Sequence, residues 1–166
     1  MPEVRLLPSR KCAGYFATKR FDRIRKPDGG MKKVYMASAA ALLETSHRIP
    51  NLDYGHLMRL TFKLTGSMAE VERMFMLMVF NVLCGNRDDH SKNFTFICDE
   101  DGAWSLSPAY DLTDNPGMNG ERATTVNGKG RDISDADMLA VASEAGISKL
   151  RAQEVIETTK LNLAGL

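Results

Sequence analysis

The sequence predicts a mainly α-helical domain with small β elements, an α+β fold. Apolar residues recur at helical spacing from residue 71 to residue 83, directly after a capping serine. Two more serine-capped helical patterns close the chain. Strand-like stretches are short and lie at residues 4 to 21 and 94 to 106. The 166 residues are expected to form one domain, 1 to 166, because this length supports one moderate core and hardly two.

The N-terminal part is predicted to contain a β-hairpin, a polar loop and a helix. The stretches "VRLLP" and "YFATKRF" flank the turn-prone "SRKCAG", which predicts two paired strands over residues 4 to 21. The basic stretch "RIRKPDGGMKK" is expected to be a solvated loop. The stretch "VYMASAAALLE" has the composition of a helix.

Two helices are predicted in the middle of the chain. The stretch "IPNLDYGHLMRLTFKLTG" predicts a turn at Pro50 and a helix that ends at Gly66. The apolar face of this helix is formed by Leu57, Leu60, Thr61 and Leu64. Ser67 and Glu70 then predict a capping box, in which each side chain bonds the backbone amide of the other residue.

The helix behind this capping box is the most hydrophobic segment of the chain. Its positions at helical spacing are Val71, Met74, Phe75, Met78, Val79 and Val82. Leu77, Phe80 and Leu83 occupy the other faces, so the second half is expected to be buried on all sides. Gly85 is the predicted C-terminal stop.

The last third is predicted as a hairpin, a long loop and two helices. "NFTFICDEDGAWSLSP" predicts a hairpin over residues 94 to 106, with Asp-Glu-Asp-Gly as its turn. Residues 112 to 132 show little apolar periodicity and are expected to form a loop. Ser134 and Ser148 each cap a helix, and Gly146 ends the first of the two.

Composition narrows the class of protein. Lys and Arg total 22 against 21 for Asp and Glu, so the net charge of +1 gives no reason to expect direct nucleic-acid binding or attraction to an acidic membrane. Three cysteines without paired spacing are typical of a reducing cytoplasm. No signal peptide is evident, and the longest apolar run is interrupted by Asn81. We therefore expect a cytoplasmic protein that does not span a membrane.

A cluster of polar residues follows the most hydrophobic helix, in "GNRDDHSKNF". The cluster contains Asp88, Asp89, His90, Lys92 and Asn93, and Tyr110 and Asp111 come after the predicted hairpin. One interpretation is a polar loop whose side chains cap their own turns. The other is phosphoryl transfer, which needs a carboxylate that orients a hydroxyl, a cation, and an Asn and a second Asp as Mg²⁺ ligands. Protein kinases place the Asn five residues after the catalytic Asp, as here.

Two other metal chemistries and a serine nucleophile are less consistent with the spacing. Asp88, Asp89 and His90 could ligate a transition metal in a phosphohydrolase, but no upstream histidine is evident as a partner. Cys84, His90 and Cys98 could bind zinc, although their spacing matches none of the usual pairs. The chain has no Gly-x-Ser-x-Gly elbow.

Three motifs together resemble the C-terminal part of HipA-like serine/threonine kinases, the toxins of bacterial toxin–antitoxin pairs. They are "KRFDR" at 19 to 23, "GNRDDHSKNF" at 85 to 94 and "LSPAYDL" at 106 to 112, in the order that the family has. The resemblance implies a protein-kinase-like fold, of which this chain would be the helical C-lobe and the hinge. It also implies ATP and Mg²⁺ as cofactors and a Ser or Thr of a protein as the phosphoryl acceptor.

The resemblance also implies roles for single residues. Asp88 matches the catalytic aspartate, and His90 its companion in the catalytic loop. Lys92 is assigned from the chemistry instead, because a nearby lysine can stabilise charge on the transferring phosphoryl group. Asn93 and Asp111 match the Mg²⁺ ligands. The nucleotide would be bordered by Lys19, Phe21, Asp22 and Tyr110. Asp89 matches a variable family position and receives no role.

One departure from the family pattern concerns the phosphate-binding half. Only 18 residues precede Lys19, and they contain neither a glycine-rich loop nor an ATP-contacting lysine. We therefore expect the N-lobe to be absent from this chain and to come from a longer protein or a separate polypeptide. Self-association through residues 4 to 21 and a HipB-like antitoxin are further expected partners. The alternative function is a non-catalytic partner-binding module derived from such a kinase.

Overall fold

Two antiparallel β-hairpins begin the chain. The computed structural model describes residues 3–165. β1 (Val4–Leu7) pairs with β2 (Tyr15–Thr18), and β3 (Arg23–Arg25) pairs with β4 (Met31–Lys33). The first hairpin confirms the prediction. The second lies where a loop was expected, because "PDGG" forms its turn: Asp28 Oδ1 accepts from the Gly30 amide at 2.8 Å.

The predicted helix in "VYMASAAALLE" is wrong in its first half. Residues Tyr35–Ser38 form β5, and the helix α1 spans only Ala39–Leu42, with Ser38 as its N-cap. β5 pairs with β7 (Thr95–Cys98), which pairs in turn with β8 (Trp104–Leu106). The β7–β8 hairpin was predicted from local sequence. Its third strand was not, because the partner lies sixty residues away in the chain and tertiary pairing overrides helix propensity.

Two helices form the centre of the domain. The short strand β6 (Leu52–Asp53) leads into α2 (Tyr54–Thr65), which ends at Gly66 in the left-handed conformation. α3 (Met68–Leu83) follows, capped by Ser67, whose hydroxyl accepts from the Glu70 amide. The end of α2 at Gly66 and the cap of α3 at Ser67 were both predicted.

The reciprocal half of the predicted capping box at α3 is wrong. The carboxylate of Glu70 does not return to Ser67. It accepts from the Leu106 amide at 2.6 Å and pairs with Arg73. The hydrogen bond to Leu106 fastens the outer strand β8 to the first turn of α3.

The core lies between α3, α2, the three-stranded sheet and the last two helices. Its largest fully buried side chains are Tyr54, Phe75, Phe94, Phe96, Leu57, Met58, Met74, Met78, Met138 and Ile156. Burial of one such apolar side chain contributes about 1.5–3 kcal/mol. The expected burial of α3 on all sides is wrong, since Met76 is 47% exposed and Leu77 and Phe80 are half-buried.

The C-terminal part wraps around this core. The two-residue strand β9 (Thr124–Thr125) runs parallel to β6 and interrupts the predicted loop. α4 (Asp135–Glu144) and α5 (Lys149–Ala164) begin at the predicted caps Ser134 and Ser148. Within residues 3–165, no helix is long and apolar enough to cross a membrane.

Candidate active site

The polar cluster lies in the loop that leaves the C-terminus of α3. Gly85, with φ +77°, turns the chain after the C-cap, and Asp88 follows on the surface. The Asp88 amide donates to Asn86 Oδ1 at 3.3 Å, and its carbonyl accepts from Asn93 Nδ2 at 2.9 Å. The backbone of Asp88 is thus held from both sides. Its carboxylate has no hydrogen bond or ion pair with any residue that the structure describes.

Asn93 presents its amide oxygen. Because the Nδ2 group donates to the Asp88 carbonyl, Oδ1 is the side-chain atom left for another partner. The Asn93 amide donates to the His90 carbonyl at 2.9 Å, which closes a turn around the intervening residues. Lys92 is exposed on this turn.

Asp111 follows the β7–β8 hairpin in the chain and lies next to the polar loop after α3. It has φ +56°, a conformation that only Gly, Asn and Asp adopt readily. Its carbonyl lies 3.5 Å from Asn86 Nδ2, and its carboxylate is exposed and unpaired in the described part of the chain. The side chain of Asn86 therefore contacts the backbones of both Asp88 and Asp111.

Two of the predicted nucleotide-binding residues contact each other. The rings of Phe21 and Tyr110 lie 5.8 Å apart between centroids. The Tyr110 hydroxyl donates to the Lys92 carbonyl at 2.6 Å, so the "KRFDR" and "LSPAYDL" segments meet at the polar loop. Burial raises the pKa of Tyr110, which keeps this hydroxyl a donor.

The other two predicted nucleotide-binding residues have partners within the chain. Lys19 is exposed, and its amide donates to the Glu3 carbonyl at 2.8 Å. Asp22 is buried and pairs with Arg20 through two hydrogen bonds of 2.8 and 2.6 Å and with Arg23. The hydrogen bond from Arg20 lowers the pKa of Asp22 below its usual value. Its carboxylate is therefore ionised and engaged.

The imidazole of His90 is partly buried and packs against a second histidine. Its Nδ1 is buried without a hydrogen-bond partner among the described residues, and its ring packs edge-on against His47 with centroids 5.6 Å apart. Burial lowers the pKa of His47, and the charges of Lys92 and His90 act in the same direction. These surroundings favour the neutral form of the His47 imidazole.

The sequence reasoning missed a buried network beneath the loop. Asp89 is fully buried, and its Oδ2 accepts from the Tyr54 hydroxyl at 2.8 Å and from Arg122 at 2.9 Å. Asn81 donates to the Tyr54 hydroxyl and accepts from Asn86 Nδ2 at 3.0 Å. The available signal was Asn81, a polar residue within the most hydrophobic helix of the chain.

The exposed donors suit a magnesium ion better than a zinc ion. Mg²⁺ prefers carboxylate and amide oxygens and retains several waters, and Asp111 and Asn93 offer these atoms without competing partners among the described residues. No group of three His, Cys, Asp or Glu side chains close enough to hold a metal occurs in residues 3–165.

The deep grooves of the surface lie elsewhere. A groove of about 810 Å³ runs between α1 and α2, and one of about 480 Å³ lies between Phe21, the β3–β4 hairpin and β7. Asp88, Asn93 and Asp111 line neither groove. The candidate site is thus an open surface in this chain.

Comparison with known proteins identifies relatives of the whole chain. The family model of the HipA-like C-terminal domain matches residues 1–164. Two proteins of Sinorhizobium fredii, named "Putative kinase Y4dM" and "Putative kinase Y4mE", are 30% and 25% identical to this chain, and the matches cover 87% and 80% of this chain. The matched part is 35% and 34% of those proteins, so the chain spans about a third of the curated relatives it matches.

A solved structure has the same fold. It is a complex of HipA, HipB and operator DNA from the toxin–antitoxin system of Shewanella oneidensis MR-1. The match has a TM-score of 0.77 at 16% identity and covers 96% of this chain and 42% of that one. At this identity the similarity establishes the fold alone, and it gives no information on the chemistry of this chain.

Proposed function

Because the chain belongs to the HipA-like C-terminal domain family, we propose that it is the catalytic lobe of a serine/threonine protein kinase in a toxin–antitoxin system. In this proposal the complete kinase transfers the γ-phosphoryl group of ATP to a Ser or Thr of a protein. The observation that carries it is the shared contact at Asn86, which ties the backbones of Asp88 and Asp111 together while both carboxylates stay unpaired within residues 3–165.

Asp88 is proposed to accept and orient the hydroxyl that attacks the phosphoryl group. Support comes from its exposed carboxylate and from its backbone, which is fixed by Asn86 and Asn93. A general base must be held in place to be effective, because misplacement of the reacting atoms by about 1 Å costs on the order of 10²-fold in rate. Lys92, on the adjacent turn, is proposed to stabilise negative charge on the phosphoryl group.

Asn93 and Asp111 are proposed to hold the magnesium ion. When bound, Mg²⁺ neutralises charge on the phosphate oxygens during transfer. The contribution of this chain is to present an amide oxygen and a carboxylate in a preset arrangement. The left-handed backbone of Asp111 supports a functional role, since such conformations persist where the surroundings enforce them.

The nucleotide is proposed to lie near Phe21 and Tyr110, whose rings meet beside the polar loop. Lys19 and Asp22 belong to the same segment. Asp22 is already paired with Arg20 and Arg23, so a contact with the ribose would need to share its carboxylate with these arginines. His90 is proposed to act indirectly, since its Nδ1 is buried.

The phosphate-binding half is proposed to correspond to the part of the relatives that this chain does not match. Positioning and electrostatic stabilisation supply nearly all of the catalysis in phosphoryl transfer, and both depend on groups over the phosphates. The 166-residue chain alone is therefore expected to bind Mg²⁺ but to transfer phosphate very poorly. A HipB-like antitoxin is a proposed partner of the complete protein.

The test compares the chain alone with the same chain joined to a HipA-type N-lobe. Transfer from radiolabelled ATP is measured with Mg²⁺, and Asp88→Asn serves as the inactive variant. We expect label transfer only from the joined protein and a loss of about 10²–10⁴-fold with Asp88→Asn. Robust transfer by the chain alone, or full activity of Asp88→Asn, would contradict the proposal.

A second candidate function is a partner-binding module without catalysis. The observation in its favour is the β1–β2 hairpin, which leaves Phe16 73% and Leu6 66% exposed. Exposed strand edges and apolar side chains recruit partners. Intact oxygen donors at Asn93 and Asp111 have no purpose in such a module, so measurable Mg²⁺ binding favours the kinase over this candidate.

A further inference from the structure

The loop that carries Asp88 is paired on both sides with the segment 115–124. The Arg87 amide donates to the Asn115 carbonyl at 3.1 Å, and the Arg87 carbonyl accepts from Ala123 at 3.0 Å. The Gly85 carbonyl accepts from the Asn115 amide at 3.4 Å. The segment that begins four residues after Asp111 is therefore bonded to the loop at its start and at its end.

The guanidinium of Arg87 reinforces this pairing. Its Nη1 donates to the Gly120 carbonyl at 3.0 Å and to the Pro116 carbonyl at 3.3 Å. Gly117 lies against the same side chain: a Cβ there would be 2.8 Å from Arg87 Cβ and 2.2 Å from the Glu121 carbonyl oxygen. The glycine therefore allows the segment to wrap closely around Arg87.

A second arginine connects the end of the segment to the loop through buried hydrogen bonds. Arg122 is buried and donates to the Asn86 carbonyl at 2.5 Å and to Asp89 at 2.9 Å. Thr124 adds bonds from its amide and hydroxyl to Asp89 Oδ1 and the Asp89 carbonyl at 3.3 and 2.5 Å. Loss of one partner of a buried ion pair leaves the other charge uncompensated, so this connection resists opening.

We propose that Arg87 and Arg122 are positioning residues that lock the segment 115–124 onto the loop 85–89, so that Asp111 and Asp88 keep a fixed relation without any phosphorylated side chain. This inference rests on the proposed kinase function. Kinases order the equivalent stretch through new pairs between arginines and a phosphorylated residue. Here Arg87 Nη1 already bonds two backbone carbonyls, and Arg122 Nη2 bonds the Asn86 carbonyl and Asp89, so both arginines are held in place without a phosphate.

The experiment compares Arg87→Met with a matched control at an arginine that pairs with a side chain of the same segment. Methionine keeps the packing volume of the stem and removes the donors. Arg131→Met removes an arginine whose one ion-pair partner among residues 3–165 is Glu121, with both side chains 56% exposed. Arg87→Lys tests rescue by a cation that can reach one of the two carbonyls. All proteins are prepared free of phosphate, as checked by intact mass.

Two quantities are measured in each protein: hydrogen exchange of the Ala123 amide, and Mg²⁺ affinity by calorimetry. In the unphosphorylated wild type we expect the Ala123 amide to be protected. Arg87→Met is expected to exchange at least about tenfold faster and to bind Mg²⁺ about tenfold more weakly, as for groups that orient metal ligands. Arg131→Met should match the wild type, and Arg87→Lys should recover part of both losses.

The outcomes separate this inference from the kinase proposal. If the wild type binds no Mg²⁺, the proposed function fails, whatever the exchange rates are. If the wild type binds Mg²⁺ and Arg87→Met binds it equally well, the positioning role is wrong, even with faster exchange. Protection of Ala123 that appears only after phosphorylation would also overturn the inference. If Arg87→Met does not fold, the same comparison is made with Arg87→Lys.

Discussion

The hydroxyl of Tyr54 donates a 2.8 Å hydrogen bond to the carboxylate of Asp89, joining the first turn of α2 to the loop after α3. Both residues are fully buried. Burial and the charge of Asp89 raise the pKa of Tyr54 well above its usual value, so the phenol stays protonated and remains a donor. This contact fixes the position of Asp89, the residue that follows Asp88 in the chain.

Replacement of Tyr54 by Phe is expected to lower the free energy of unfolding by about 1–3 kcal/mol, because Asp89 loses a donor and Asn81 loses an acceptor in a buried place. Urea unfolding followed by circular dichroism measures the change. Tyr35→Phe is the control: Tyr35 is 67% exposed, and this change should stay within about 0.5 kcal/mol. Equal effects of both variants would contradict a supporting role of the buried hydroxyl.

Asp111→Asn is expected to weaken Mg²⁺ binding by at least about tenfold, since it replaces a charged oxygen ligand by a neutral one. Calorimetry of the chain measures this affinity. Asp132→Asn is a matched control, because Asp132 is also exposed and has a similar φ of +52°. A similar loss in both variants would mean that backbone strain or general charge, rather than coordination, sets the affinity.

Asp137→Asn is expected to lower the melting temperature at pH 7 and to lower it by progressively less as the pH falls from 4 to 2. Hydrogen bonds, first from Lys129 and then from Ser134, hold the pKa of Asp137 far below its usual value of 3.8. A carboxyl group with a lowered folded pKa stabilises the protein above its unfolded pKa. This contribution is lost as pH falls below about 4 towards the folded pKa.

Melting curves of the wild type and the Asp137→Asn variant between pH 7 and pH 2 test this prediction. Asp135→Asn, in the same first turn of α4, is the control for the helix dipole. A difference in melting temperature between wild type and Asp137→Asn that stays constant over the whole pH range would show that the ionised form of Asp137 is not what stabilises α4.

Self-association through the β1–β2 hairpin is expected for the chain alone, and Phe16→Asp should abolish it. Phe16 is 73% exposed, and its neighbours Tyr15 and Leu6 are 58% and 66% exposed. Light scattering over a range of concentrations gives the mass. Phe62→Asp on α2, where Phe62 is 49% exposed, controls for the added charge. A wild-type chain that is monomeric at all concentrations would make this prediction wrong.

Local sequence signals predicted the elements that depend only on neighbouring residues. Ser67, Ser134 and Ser148 cap helices, Gly66 ends one in the left-handed conformation, and the β7–β8 hairpin forms near residues 94–106. Caps and tight turns are stabilised within a few residues of chain, so their patterns are visible without knowledge of the fold.

The polar cluster was also visible in the sequence. The family of the chain was recognisable from three motifs, and the family model matches residues 1–164. The roles assigned to Asp88, Asn93 and Asp111 remain predictions. The arrangement behind them could not be foreseen, since Arg122 and Tyr54 reach Asp89 across 33 and 35 residues of chain. Spacing along the chain carries no information on such contacts.

The capped helices, the tight turns and the inventory of oxygen donors follow from the sequence, because each depends on local bonding or on residue type. Tertiary contacts make Tyr35–Ser38 a strand, bring Glu70 to Leu106 and bury Asp89. In each case a distant partner outweighs the local preference. A buried polar group must find a hydrogen-bond partner wherever the fold supplies one.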